Sequence, residues 1–230
     1  MRQPALDTTI AVTHYSGELG RRYFAYQSQF GEFAGQIIAR KFDTYIDPSD
    51  AVLDFGCGDG LVLKSLSCRE RLGVDINPAA RQAAERNGIT CFDTLDGIES
   101  ASVDVAISHH SLEHVPSPLL SLREIQSKLK PGGRLLIVVP IDDWRAQKTY
   151  DSTDINHHLY TWTPNLLGHL LYEAGFDTKT LSTSIGINGW CRIFPFWYGK
   201  LPPLCLRILL RGWCIVRKTR EIYGVVRKPH

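Results

Sequence analysis

The chain has 230 residues, with 26 Lys plus Arg against 24 Asp plus Glu, and 43% of it is apolar. That composition excludes intrinsic disorder, a collagen repeat and a small disulfide scaffold, and a chain of this length buries roughly 70% of its unfolded surface without staples or metals. The net charge of +2 hides a division: residues 186–230 hold nine basic residues and one acid, Glu221, so this tail carries +8 and the remainder −6.

Six cysteines, at 57, 68, 91, 191, 205 and 214, form no Cys-x-x-Cys pair and read as reduced thiols. Residues Met1–Ile10 contain Asp7 and lack the apolar core of a secretory signal, so a cytoplasmic location is expected. The greasiest region, Ile193–Val216, is broken by Lys200, Arg207, Arg211 and three prolines, short of the ~20 apolar residues of a membrane span. It keeps the composition of a segment that lies on a membrane surface.

In chain order, residues 18–46 place Tyr23, Tyr26, Phe30, Phe33, Ile37 and Ile38 at helical spacing before the stop signal Asp47-Pro48, which predicts an N-terminal cap of one or two helices over 1–50. From 51 onward short apolar runs alternate with helical stretches. Strands are predicted at Ala51–Phe55, Arg71–Ile76, Thr90–Phe92, Val103–Ser108 and Arg134–Val139, and helices at Leu61–Ser67, Pro78–Asn87, Pro118–Leu129 and Pro164–Ala174. Pro131-Gly132-Gly133 reads as the stop of the third helix. A further strand is expected near 178–184, with Ile222–Val226 as its late partner. This is the α/β pattern of a mostly parallel sheet with helices on both faces. The boundaries expected are a cofactor-binding core over 51–185, an aromatic and basic insertion over 186–220 and a last core strand in 221–230.

The strongest motif is Asp54-Phe55-Gly56-Cys57-Gly58-Asp59-Gly60, between a buried strand and a helix, where glycines allow a tight turn and let backbone N–H groups approach a ligand. A dinucleotide fingerprint wants a small residue at 61, where Leu61 stands, and a diphosphate would meet Asp54 and Asp59, which repel it. A ligand with ammonium and sulfonium centres suits such a loop, and S-adenosylmethionine has both. Nineteen residues after Gly56 comes Asp75-Ile76-Asn77, at the tip of the second strand, where a carboxylate can accept from both ribose hydroxyls. Asp93, just past the third strand, is placed to reach an adenine amino group.

These features resemble the class I S-adenosylmethionine-dependent methyltransferases, in the broad small-molecule, type 11-like group. The resemblance covers residues 50–176 and also rests on Leu112-Glu113-His114-Val115 and Leu129-Lys130-Pro131-Gly132-Gly133. It implies a Rossmann-like seven-stranded sheet, with Asp54, Gly56, Cys57 and Gly58 near the methionine end of the cofactor, Asp75, Ile76 and Asn77 at the ribose, Asp93 near adenine, and Glu113 fixing its loop.

His110 to His114 spells H-x-x-E-H, the helix motif of inverted zinc peptidases. Here it starts where a strand ends and Pro116 and Pro118 follow, so no continuous helix and no metal are expected. Ligands in open α/β sheets collect beyond the carboxyl ends of the strands, so Ser108, His109 and His110 should face cofactor and acceptor. A second pair, His157-His158, follows the fifth strand on the same rim. One of these four histidines is expected to be the base that deprotonates the acceptor.

Ser108-His109-His110-Ser111 lacks the Asn/Asp-Pro-Pro-aromatic signature of base-methylating enzymes, so no nucleic-acid substrate is expected. The acceptor expected is a hydroxyl or amine of a small or lipid-linked molecule, such as a surface sugar. If 204–220 is helical, Arg207, Arg211 and Lys218 share a face, and Phe194, Phe196, Trp197 and Tyr198 precede it, so 194–220 can form a lid or a peripheral membrane contact. The alternatives are a non-catalytic cofactor-binding partner protein and a nicotinamide-dependent oxidoreductase.

Overall fold

The structure, a computed structural model, describes residues 14–142, 149–187 and 200–230. Cys191 and the aromatics Phe194, Phe196, Trp197 and Tyr198 lie outside the described residues. Seven strands form one sheet: β1 (Ala51–Phe55), β2 (Glu70–Val74), β3 (Thr90–Phe92), β4 (Val103–His109), β5 (Leu129–Ile141), β6 (Asp177–Ile187) and β7 (Arg220–Arg227). Their order is 3-2-1-4-5-7-6, all parallel except β7, which is antiparallel to both neighbours. The described helices are α1 (Gly17–Gln27), α2 (Gly31–Ala39), α3 (Leu61–Ser65), α4 (Pro78–Arg86), α5 (Pro118–Lys128), α6 (Pro164–Glu173) and α7 (Pro203–Arg217).

Strand alternation sends side chains to two separate cores. Leu53, Ala106, Leu135 and Ile137 pack with Leu122, Ile125 and Leu167 beneath α5 and α6. Their chain neighbours Val52, Val105, Leu136 and Val138 pack with Ile38, Phe42, Leu63 and Ala84 beneath α2, α3 and α4. Proline occupies the first turn of α4, α5, α6 and α7, where its missing N–H costs little. Asn77 and Thr163 cap α4 and α6 by accepting from Ala79 N and Leu166 N.

The predicted boundaries differ most at two strands. The second strand ends at Val74 rather than Ile76, because the Asp75 carboxylate turns the chain by accepting from the backbone N–H of Asn77. The fifth begins at Leu129: Val103 pairs with Leu129, the register then shifts, and Val105 pairs with Arg134. Pro131-Gly132-Gly133, with Gly132 at φ 72°, is thus an irregularity inside the span of β5. The one change of crossover direction falls between β1 and β4, so the loops after these strands open one crevice.

Candidate functional site

The loop after β1 is held by Gly56 N and Cys57 N, which donate to Val74 O at 2.8 and 3.0 Å. Gly56 adopts φ 78°, and a Cβ there would lie 2.2 Å from Ser111 Oγ. Gly58 adopts φ 55°, and a Cβ there would meet nothing within 4 Å. One glycine is required by close packing, while the other borders open space above the loop, room for a ligand to approach the backbone. The Cys57 side chain turns down into the core, its Sγ 3.5 Å from Cys91 Sγ, so this residue reaches a ligand only through its backbone.

Three carboxylates surround the loop, and burial pushes all of them upward. Asp54 is 3% exposed and is pushed to about 8, by burial first and then by the charges of Asp75 and Asp59. Burial also raises Asp59, and it raises Asp75 despite the N–H groups of Asn77 and Gly58 that bond it. An acidic pocket strained in this way gains from a positively charged ligand and loses from a phosphate. The sulfonium and ammonium of S-adenosylmethionine fit that donor set. Asp54 and the Gly56–Gly58 backbone would hold the methionine end, and Asp75, at the tip of β2, the ribose. Ile76 is exposed beside it and Asp93 is exposed just beyond β3. Asn77 is engaged elsewhere: besides capping α4, its side-chain amide donates to Gly20 O at 2.8 Å, fastening α1 to the crevice.

At the end of β4, Ser108 is fully buried and its hydroxyl has no hydrogen-bond partner. The rings of His109 and His110 stack at 4.4 Å. His109 Nε2 lies 3.0 Å from Lys41 Nζ, and Lys41 in turn lies 2.6 Å from Glu221 Oε1. His110 Nε2 is 3.0 Å from the other oxygen of Glu221, Oε2, while the Tyr223 hydroxyl donates to Oε1 beside Lys41. Burial works to raise the Glu221 carboxyl, but the His110 bond and the charge of Lys41 outweigh it and hold it well below the usual range. Burial, then Lys41 and His110, keep His109 neutral. His109, His110 and Glu221 have the donor types of a metal site, but the Lys41 ammonium already sits on two of them.

The second cluster brings His114 and His158 together and sets His157 apart. His158 Nδ1 is 2.9 Å from Asp142 Oδ2. Burial alone would lower this imidazole, yet the Asp142 bond and charge, with those of Glu113 and Asp154, raise it above its ordinary value. His114, pushed down to about 3 chiefly by burial, has Nδ1 2.8 Å from the Tyr15 hydroxyl, which donates to Asn156 O. Its Nε2 lies 3.9 Å from Glu113 Oε1. Glu113 is fully buried and neither of its oxygens has a hydrogen-bond partner. His157 stacks instead on His14 at 4.4 Å. His110 and His157 both have positive φ, at 52° and 51°, a strained backbone held at two points of one rim. The H-x-x-E-H spelling does not act as a unit: residues Leu112–His114 form a short 3-10 turn, and His110 and His114 bond different partners.

Sequence reasoning missed Tyr15, Lys41, Asp142 and Tyr223. Only Glu221 had a signal, as the one acid in the basic tail. Asp142 stands one residue past the end of β5, and nothing short of the fold shows that it meets His158 across 16 positions.

A seven-stranded 3-2-1-4-5-7-6 sheet with an acidic glycine loop at its switch point defines an S-adenosylmethionine-dependent methyltransferase fold. The sequence profile of the methyltransferase domain family matches residues 26–181, and the chain belongs to that family. Two solved Haemonchus contortus phosphoethanolamine N-methyltransferase structures, one with S-adenosylhomocysteine and one with S-adenosylmethionine, share the fold at 15% and 16% identity and a TM-score of 0.59. Among curated relatives, a ubiquinone biosynthesis O-methyltransferase of Roseobacter denitrificans is 31% identical over 153 residues, covering 55% of this chain and 59% of that protein. A ribosomal protein L11 methyltransferase of Ralstonia pickettii is 28% identical over 131 residues, covering 46% of this chain and 43% of that one. The chain thus spans about half the length of these relatives. A solved SAM-dependent methyltransferase from Thermotoga maritima superposes with a TM-score of 0.62 at 16% identity, covering 89% of this chain and 94% of that one, and shares the fold.

Proposed function

We propose that this protein methylates a hydroxyl or amine of a small or lipid-linked acceptor, with His158 as the base. The carrying observation is the His158–Asp142 pair: a carboxylate fixes one ring nitrogen at 2.9 Å and leaves Nε2 to take a proton. The cofactor, when bound, supplies an electrophilic methyl group. The chain's residues do the rest. Asp54 and the glycine loop orient the sulfonium end, and His158, with a raised proton affinity, draws the proton from the acceptor as it is methylated. Asp142 holds the resulting imidazolium.

The test is incorporation of labelled methyl from S-adenosylmethionine into small-molecule and lipid extracts, with the pH dependence of turnover. His158→Gln should lower turnover by about 10²–10⁴-fold while cofactor affinity stays nearly unchanged. The base works deprotonated, so wild-type turnover rises with pH above the ordinary imidazole value near 6.5. Asp142→Asn leaves burial dominant, so the residual activity rises at lower pH. Full turnover in His158→Gln sinks the assignment.

A second reading rests on Glu113. Its unpartnered, fully buried carboxylate and the imidazoles of His114 and His158 offer ligand atoms within 4.8 Å of one another. A divalent cation held there would lower the pKa of the acceptor hydroxyl in place of a free base. Turnover abolished by a chelator and restored by a metal selects this reading, and chelator-insensitive turnover selects the imidazole base.

A further inference from the structure

Helix α7 has two apolar faces. Leu206, Leu210 and Cys214, four residues apart, are buried on one side. Leu204, Ile208, Leu209, Ile215 and Val216 are 52–74% exposed. At about 100° per residue this second set centres roughly opposite the buried triad. A single amphipathic helix docked on a sheet would show water a polar face there. Arg207 and Arg211, both exposed, run along one border of the outward apolar face, and Lys218, in the left-handed conformation at φ 55°, follows the helix.

The charge on this surface selects its occupant. Residues 200–220 contain no acid, and the adjoining sequence 188–199 holds Trp190, Phe194, Phe196, Trp197 and Tyr198 with Arg192 and again no acid. A second copy paired through the same face would set its arginines against arginines. An anionic lipid surface meets both needs: its acyl boundary takes the leucine and isoleucine side chains, and its headgroups the arginines. The helix is 15 residues long, and no described helix is long and apolar enough to cross a membrane. It therefore suits lying in the interface plane.

We propose that α7 docks this protein on bilayers containing anionic phospholipid, through Leu204, Ile208, Leu209, Ile215 and Val216 and the flanking Arg207 and Arg211. The helix runs into β7, whose Glu221 and Tyr223 belong to the rim network, and the Arg211 charge acts on the Tyr223 hydroxyl. Docking by this face sets the rim beside the membrane surface. It deepens the proposed function, on which this part rests, by making the acceptor a membrane-borne molecule.

The experiment is flotation of the full-length protein with vesicles of phosphatidylcholine alone and with added phosphatidylglycerol, at low and high salt, with calorimetry of S-adenosylmethionine binding on the same samples. The wild type should float with the anionic vesicles and lose them at high salt. The double change Arg207→Glu, Arg211→Glu should lower partitioning at least about 30-fold, because each basic residue near the surface contributes about fivefold. Ile208→Ser with Ile215→Ser should lower it at least about tenfold. Cofactor binding unchanged in both variants shows that they fold. Wild-type protein that binds cofactor but no vesicles overturns the docking and leaves the methyltransferase reading intact; absence of cofactor binding strikes at that reading instead. Vesicle binding unaffected by either variant assigns it elsewhere and overturns the proposal. So does a dimer in light scattering that the isoleucine changes dissolve, or vesicle binding that appears only when 188–199 is deleted.

Discussion

Lys41→Met tests the buried network that joins α2 and the sheet behind the rim. Lys41 Nζ is 2.6 Å from Glu221 Oε1, and the two side chains are 8% and 0% exposed. Burial pushes the ammonium below its ordinary value even against the pull of Glu221, whereas the carboxyl is held low. Each charge bears its own desolvation, and Glu221 offsets its share through His110 and Tyr223 besides Lys41. The net worth of the pair is accordingly modest, but removing one member strands the other. Breaking a buried pair costs about 3–5 kcal/mol. Glu221 keeps His110 and Tyr223 in the variant, which places the loss near the lower end, about 3 kcal/mol. For a chain of this size that is a fall in Tm of roughly 6–12 °C. Urea melts of the wild type, Lys41→Met, Glu221→Gln and the double variant measure the coupling, expected to be about 2 kcal/mol or more. The pH dependence gives a second reading. A lowered carboxyl contributes stability that is present above its unfolded value near 4.3 and is lost as pH falls through the folded value. In Lys41→Met the folded value rises, so acid destabilisation loses part of this contribution while the variant starts from lower stability. Single losses that simply add, within about 0.5 kcal/mol, refute the buried-pair reasoning.

Two further substitutions probe the cofactor crevice. Gly56→Ala combines left-handed strain of about 1–2 kcal/mol with a collision against Ser111 of about 1–3 kcal/mol, and Ser111→Gly in the same chain should recover only the second part. Denaturant melts check this, and Gly56→Ala as stable as the wild type contradicts it. Asn77→Ala removes the cap of α4 and the bond to Gly20 O, at a cost of about 1–2 kcal/mol, and should increase hydrogen exchange in α1 more than in β1.

Much of this molecule follows from local rules that the sequence states directly. The alternation of apolar runs and the prolines at first helical turns determined the order of strands and helices, and the spacing from Gly56 to Asp75 set where a nucleoside is expected. The basic character of residues 203–217 was equally plain, but an apolar residue on a helix carries no label for the side it faces. Only the packing of Leu206, Leu210 and Cys214 decided that Ile208 and Ile215 face outward. The rim chemistry needed tertiary structure for the same reason. Four histidines in two adjacent pairs are alike in sequence, and each meets a partner that its own pair does not reveal: His109 meets Lys41, His110 meets Glu221 across 111 positions, His157 meets His14 and His158 meets Asp142. Periodicity records what a residue does with its own strand or helix. Burial and charge, which set the proton affinity of an imidazole, come from whatever the completed sheet brings alongside it.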